Sequence, residues 1–152
     1  MPTNTQVDAR GPRFSAWVTT AVLVVSLALS GISPIGAAAT LTGQAAVFAV
    51  GAWAGPRRHP YGWLFARLVR PRLAPATEWE PAAPLRFAQF VGLVFAVAGV
   101  VGFLAAPVLG LVATGLALAA AFLNAAFGIC LGCQVYPLVA RLRGRTELTA
   151  SG

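Results

Sequence analysis

The fold is decided by one stretch in the second half of the chain, Phe87-Ala-Gln-Phe-Val-Gly-Leu-Val-Phe-Ala-Val-Ala-Gly-Val-Val-Gly-Phe-Leu-Ala-Ala106. It contains no charged side chain and has the length of about 20 residues that a helix needs to cross a bilayer. The charge-free region continues far enough to hold a second helix, at residues 108–128, and an earlier one holds two more, at residues 14–32 and 37–54. The sequence therefore predicts an all-α membrane protein with four transmembrane helices, arranged as two helical hairpins.

The composition agrees with this prediction. With 58% hydrophobic residues and a mean hydropathy of +0.76, the chain has too little polar surface for a soluble domain. All eleven basic residues are arginines, and all of them flank predicted helices. The net charge of +7 therefore indicates how the helices are oriented in the membrane, and nucleic acid is not expected as a partner. By the positive-inside rule, the chain is a multi-pass protein of the bacterial inner membrane with both termini and the central loop in the cytoplasm.

The segments outside the predicted helices are short. Residues 1–13 form a predicted cytoplasmic arm. Residues 57–86 form a predicted cytoplasmic loop, which contains a short amphipathic helix at 63–70 and then an irregular, proline-rich linker. Residues 129–152 hold the Cys-x-x-Cys turn, another amphipathic helix and a polar tail. A cleaved secretion signal is the alternative for the first helix, but its apolar core exceeds the usual length of about 7 to 15 residues.

The two halves of the chain resemble each other. Gly11-Pro-Arg-Phe-Ser-Ala16 resembles Pro84-Leu-Arg-Phe-Ala-Gln89, and Phe65-Ala-Arg-Leu resembles Val139-Ala-Arg-Leu at nearly the same offset. Such a duplication predicts a parallel internal repeat about an axis along the membrane normal. The repeat would place His59, the only histidine, at the depth of the cysteines, where it can hold a thiolate as an ion pair or join a metal site. A histidine at the membrane interface without such a partner is the alternative.

Cys130 and Cys133 form a Cys-x-x-Cys directly after the fourth predicted helix. Two thiols at this spacing can close a disulfide, pass electrons or sulfur to another thiol, or supply half of a metal site. Thiols on the cytoplasmic side are normally reduced, so a permanent structural disulfide is not expected. A structural zinc site needs about four ligands, and the chain offers two cysteines and one histidine, so neither a metal nor another cofactor is expected.

The glycines around the pair predict how it is presented. Gly128 and Gly132 allow the fourth helix to end and a new helix to begin near Val135, with Cys133 close to its N-terminus. This position favours the thiolate and makes Cys133 the attacking thiol, with Cys130 resolving, unless greater exposure of Cys130 reverses the roles. Three arginines are expected within reach of Cys133, namely Arg57, Arg58 and Arg141.

Few polar residues interrupt the predicted helices. Gln44 in the second should face the bundle, where a hydrogen-bond partner can satisfy its amide. Asn124 in the fourth is expected to be a helix-packing amide. The sequence shows no nucleotide loop, no carboxylate pair and no Ser/His/Asp set, and no ionisable residue lies in a predicted span, which argues against ion-coupled transport.

Four motifs along nearly the whole chain resemble one family. They are Val-Asp-Ala-Arg-Gly-Pro-Arg-Phe at 7–14, Pro-Tyr-Gly-Trp-Leu-Phe at 60–65, Arg-Phe-Ala-Gln at 86–89, and Leu-Asn-Ala-Ala-Phe-Gly-Ile-Cys-Leu-Gly-Cys-Gln-Val-Tyr, which ends at Tyr136. They are similar to the bacterial membrane family named domain of unknown function 4395, and the last motif is specific. The family has no established activity, but its members are often encoded near thioredoxin-like and rhodanese-like proteins, which implies a link to thiol or sulfur-transfer chemistry.

Two functional hypotheses follow. In the first, the chain is a four-helix inner-membrane protein whose Cys130 and Cys133 exchange electrons or sulfane sulfur with a cytosolic thioredoxin-like or rhodanese-like partner. In the second, it is a non-enzymatic membrane scaffold or small permease subunit whose cysteines pack between helices. The lipid bilayer is an expected partner in both.

Overall fold

Six α-helices and a two-stranded sheet make up the fold in the computed structural model, which describes residues 6–151, with side chains as far as residue 144. In chain order the elements are β1 (Gln6–Asp8), α1 (Arg10–Ser30), α2 (Pro34–Ala54), α3 (Pro60–Leu64), β2 (Trp79–Pro81), α4 (Ala82–Ala105), α5 (Pro107–Phe127) and α6 (Leu131–Ser151). A π-helical turn at Phe65–Val69 and a 3₁₀ turn at Arg70–Arg72 extend α3. The predicted all-α fold with four long apolar helices is confirmed.

The four long helices, α1, α2, α4 and α5, pack as a ring in which α1 and α4 each contact both α2 and α5. All four are long and apolar enough to cross a membrane. Of an apolar stretch of 18 residues in each helix, only 22 to 33% is buried inside the protein. The remainder presents outward-facing side chains such as Val25, Val97, Leu104 and Val112. A surface of this kind suits hydrocarbon and not water, as expected for a multi-pass membrane protein.

Small residues bring the helices close together. Gly99 of α4 leaves room for Leu41 of α2, and Gly102 lies directly against the backbone of Gly110 in α5. Gly115 is different, because a Cβ placed there would meet nothing within 4 Å. The buried apolar core runs along these contacts and comprises Leu23, Ala37, Ala38, Leu41, Phe48, Ala96 and Phe103.

Gln44 joins three elements inside the bundle, which confirms the prediction that it faces inward. The residue is 1% exposed. Its Nε2 donates a hydrogen bond to Oγ1 of Thr19 in α1 at 3.4 Å, and its Oε1 accepts one from the hydroxyl of Tyr61 in α3 at 2.8 Å. The buried amide is therefore satisfied at both ends.

The arm and the linker are more ordered than the sequence predicted. Residues Gln6–Asp8 pair with Trp79–Pro81 as an antiparallel sheet. Asp8 ends β1 two residues before α1, and its Oδ1 accepts the N–H of Arg10, the first residue of that helix, at 3.0 Å. Proline-rich composition indicates turns but carries no information about a distant partner strand, so the pairing was not predicted. The helices α1 and α4 also begin about one turn earlier than expected, and each takes up flanking arginine in its first turns.

Candidate functional site

The Cys-x-x-Cys lies at the break between α5 and α6. The last residue of α5 is Phe127, and Gly128 follows with a φ of +70°, a left-handed conformation that favours glycine. The N–H of Gly128 donates to the carbonyl of Asn124 at 3.0 Å and closes the helix end. The break that Gly128 predicted is confirmed, although α6 begins at Leu131, one turn before the expected Val135.

Cys130 occupies the N-cap position of α6. Its carbonyl oxygen accepts the N–H of Gln134 at 3.0 Å, and its Sγ accepts the N–H of Cys133 at 3.3 Å. This is the hydrogen-bond pattern of an N-cap residue, with sulfur in the place of the usual side-chain oxygen. The Sγ of Cys130 therefore lies at the positive end of the α6 dipole.

The two cysteines are joined as a disulfide, with Cα atoms 5.2 Å apart. Both residues are partly exposed, unlike the core side chains of the bundle. The expectation that the thiols are reduced in the cytoplasm remains a prediction. In the described part of the chain, no group of three or more His, Cys, Asp and Glu side chains is placed to hold a metal ion.

The turn is held against α4. A Cβ on Gly132, between the two cysteines, would lie 2.7 Å from the Cα of Ala88, so only glycine allows this approach. Tyr136, one turn further along α6, packs on Phe87 with ring centroids 5.9 Å apart. Asn124 contributes its backbone carbonyl to the end of α5, and its side chain is half-buried, as for a packing amide.

Three arginines, Arg57, Arg58 and Arg141, are predicted within reach of Cys133. Arg57 donates from Nη2 to the carbonyl of Gln6 at 3.2 Å, on the side of the bundle where β1 lies. Arg58 and Arg141 are exposed, and among the residues described no hydrogen bond or ion pair joins either of them to a cysteine. Their proximity to Cys133 stays a prediction.

A different arginine, Arg13 of α1, is at the turn. Its guanidinium carbon lies 4.0 Å from the position of a Cβ on Gly128. The approach results from the packing of α1 on α5, where Trp17 meets Phe122 edge-on with ring centroids 6.1 Å apart. The positive-inside pattern contained the relevant signal, because it places the start of the first helix and the end of the fourth at the same end of the bundle.

His59 occupies a buried site between α2 and α4 and is 3% exposed. A Cβ on Gly51 would lie 2.6 Å from its Cδ2 and 2.8 Å from Cγ of Gln89, so glycine makes room for both side chains. Tyr61 packs edge-on against the imidazole at 5.2 Å. Between residues 6 and 144, no hydrogen bond joins a ring nitrogen of His59 to a cysteine. The predicted position of the histidine at the depth of the thiols stays a prediction.

The polar atoms of this buried cluster are incompletely paired. Neither ring nitrogen of His59 nor Oε1 of Gln89 makes a well-formed hydrogen bond. Burial lowers the pKa of His59 to about 4, and the neighbouring Gln89 offsets part of the effect. The imidazole is therefore neutral at pH 7. A buried polar group left unpaired costs about 1 to 3 kcal/mol, so simple packing does not account for the cluster.

Comparison with known proteins places nearly the whole chain in one family. The model of the family described as Domain of unknown function (DUF4395) matches residues 7–141, a range that includes two of the three residues of β1, both cysteines and the first half of α6. No curated protein and no solved structure matches the chain.

Proposed function

The chain belongs to the family described as Domain of unknown function (DUF4395), and because that description names no activity, we propose one from the residues themselves. Cys130 and Cys133 form a redox pair that exchanges electrons or sulfane sulfur with a thioredoxin-like or rhodanese-like protein. The pair lies on the cytoplasmic side of a bacterial inner membrane. The distribution of arginines around the charge-free helices supports this orientation.

One observation carries the proposal, the hydrogen bond from the N–H of Cys133 to Sγ of Cys130 at 3.3 Å. In the reduced protein, this N–H and the positive end of α6 stabilise a thiolate at Cys130. Arg13, beside Gly128, adds positive charge at the same turn. We therefore assign Cys130 as the attacking thiolate and Cys133 as the resolving thiol, the reverse of the order expected from the sequence.

The exchange has two steps. The thiolate of Cys130 attacks a disulfide of the partner, forms a mixed disulfide and releases one partner thiolate. Cys133 then loses its proton and attacks Sγ of Cys130, which closes the internal disulfide and releases the second partner thiolate. Two electrons pass to the partner. One of its two released thiolates takes up the proton that Cys133 lost, and the other takes up from water the proton that Cys130 gave up when it ionised. The reverse sequence reduces the pair at the expense of a partner dithiol.

Transfer of sulfane sulfur uses the same first nucleophile. The thiolate of Cys130 attacks the terminal sulfur of a persulfide on the partner and becomes a persulfide itself, and the partner leaves as a thiolate. Attack of Cys133 on Sγ of Cys130 then closes the disulfide and releases hydrosulfide. A rhodanese-like partner supplies the persulfide in this version.

Trapping in cells tests the assignment. The full chain with Cys133→Ser retains the attacking thiol, so it should accumulate a mixed disulfide with a cytosolic protein that is released by dithiothreitol and identified by mass spectrometry. Cys130→Ser should trap far less, and the double serine variant is the control. If neither single variant captures a protein above the level of the control, the proposal is wrong. Predominant trapping by Cys130→Ser would reverse the roles.

A structural role for the cysteines is the second candidate, because the same hydrogen bond caps α6. It corresponds to a membrane scaffold or small permease subunit. On this hypothesis Cys130→Ser does not lower the stability of the reduced protein, since serine is a preferred N-cap residue. Both thiols of the reduced protein should then also react slowly with a polar maleimide.

A further inference from the structure

A cavity of about 410 Å³ lies beside the β1–β2 sheet. Its size is within the range of about 300 to 1,000 Å³ that small-molecule sites occupy. The walls come from β1, the start of α1, α3 with its π-helical turn, β2 and the start of α4. Neither cysteine lines it, so it is separate from the disulfide.

Local backbone features form the wall made by α3. A Cβ on Gly62 would lie 2.7 Å from the carbonyl oxygen of Pro56, so glycine is needed for α3 to pack against the preceding loop. The π-helical turn at Phe65–Val69 follows, with Phe65 buried against Gly11 of α1. Turns of π type within helices occur frequently at functional sites.

The fixed charge around the cavity is positive. Asp8 is the one carboxylate among its described lining residues, and the guanidinium of Arg10 holds it at 2.9 Å. The hydrogen bond from Arg10 is the main cause of a lowered Asp8 pKa, so the carboxylate stays ionised and paired. Arg57 and Arg70 also line the cavity, and Arg70 contributes further to lowering the pKa of Asp8. Asp8 and Arg10 neutralise each other, so Arg70 leaves positive charge at the cavity.

Besides this charge, the cavity has an apolar wall and, at its closed side, a group of buried polar atoms. Phe65, Trp79 and Leu85 supply apolar wall, and Arg57 and Arg70 lie on the solvent-exposed side. His59 and Gln89 also line the cavity, and they carry the enclosed polar atoms that lack partners. Largely apolar walls with a few polar groups and charges are typical of sites for small organic ligands.

We propose that this cavity binds a small organic carboxylate with an apolar body. The carboxylate pairs with Arg70 at the exposed side, and the apolar body contacts Phe65 and Trp79. His59 and Gln89 bond to a polar substituent at the closed side. The site extends beyond the thiol chemistry proposed above and does not depend on it, so a variant that lacks both cysteines should bind equally well.

Fluorescence of Trp79 provides a direct readout, because this residue lines the cavity. The three other tryptophans, Trp17, Trp53 and Trp63, are at least half exposed and can be replaced by phenylalanine in the full chain. In lipid nanodiscs, titration with para-hydroxybenzoate and with omega-hydroxyoctanoate should change the emission of Trp79 in a saturable way. The corresponding amides, which keep the hydroxyl but lack the charge, should bind more weakly. A preference for para-hydroxybenzoate indicates an aromatic metabolite, and a preference for omega-hydroxyoctanoate indicates an acyl chain.

Two arginines on the same exposed segment form a matched pair of variants. Arg70 lines the cavity and Arg72 does not. Arg70→Gln should weaken carboxylate binding by at least about fivefold, and Arg72→Gln should leave it unchanged. If the single-tryptophan protein does not fold, the thermal shift of the unmodified protein with each compound gives the same comparison. Failure of both carboxylates to saturate, or an equal effect of Arg70→Gln and Arg72→Gln, would overturn the proposal.

Discussion

At the residue scale, burial of His59 makes the stability of the protein depend on pH. The pKa of His59 is lowered from 6.5 to about 4 because the folded protein desolvates the imidazole. Between these two values the unfolded chain binds a proton at this position and the folded chain does not. The stability that the folded protein gains by keeping His59 neutral is therefore fully present above pH 6.5, and it is lost as the pH falls toward 4.

We expect the free energy of unfolding to decrease by roughly 3 kcal/mol between pH 7 and pH 4 through His59 alone. His59→Gln should remove this component, and thermal unfolding in detergent at several pH values measures it. Burial, with a smaller effect from Glu78, raises the pKa of Glu80, which changes stability in the opposite direction. The comparison is therefore between parent and variant at each pH. If the stability of the two proteins changes equally with pH, the prediction is contradicted.

Gln44 gives a second prediction at this scale. Gln44→Leu removes the partners of Tyr61 and Thr19, and we expect it to lower the free energy of unfolding by about 1 to 2 kcal/mol. Thr42→Val is the matched control, because the hydroxyl of this exposed residue donates only to Ala38 in its own helix. Thermal unfolding of both variants in one detergent provides the measurement. If the two substitutions lower the free energy of unfolding equally, the hydrogen bonds of Gln44 do not hold the helices together.

At the element scale, the contact between α4 and α5 depends on glycine. An alanine Cβ at position 102 would meet the backbone of Gly110, which cannot rotate aside as a side chain can. We expect Gly102→Ala to destabilise the protein by about 1 to 3 kcal/mol. Gly115→Ala, which enters open space, should be neutral or stabilise by up to about 1 kcal/mol. Size-exclusion chromatography after stepwise heating measures how much folded protein each variant retains. If both variants lose folded protein at the same temperature, the two glycines do not differ in packing as described.

The long elements could be predicted from the sequence, and the reasons are physical. A charge inside hydrocarbon is costly, so charge-free runs mark the four spanning helices, and a single Gly128 marks the end of α5. The side-chain neighbours of His59 depend on tertiary packing, which no local pattern encodes. The parallel repeat stays a prediction. Both hairpins end at a glycine with a positive φ, +88° at Gly55 and +70° at Gly128, but Gly55 leads into a short α3 and Gly128 leads almost directly into α6.

At the scale of the whole molecule, the arginines predict the orientation in the membrane. A fluorescent protein fused after Gly152 should fold and fluoresce in the cytoplasm. Alkaline phosphatase inserted at the turn between α1 and α2, near Ser33, should be active, because the arginines predict that this turn lies in the periplasm. Alkaline phosphatase activity from a fusion after Gly152 would show that the orientation is reversed, and the cytosolic partner of the cysteines would be excluded with it.

The pairing of β1 with β2 also has a consequence for biosynthesis. The ribosome makes β1 before the first hairpin, whereas β2 emerges only after α2 and α3 have been translated. During synthesis, β1 therefore has no partner strand until Trp79–Pro81 has been translated. The N-terminal hairpin of α1 and α2 cannot complete this sheet alone, and the sheet can close only when the start of α4 is also being made.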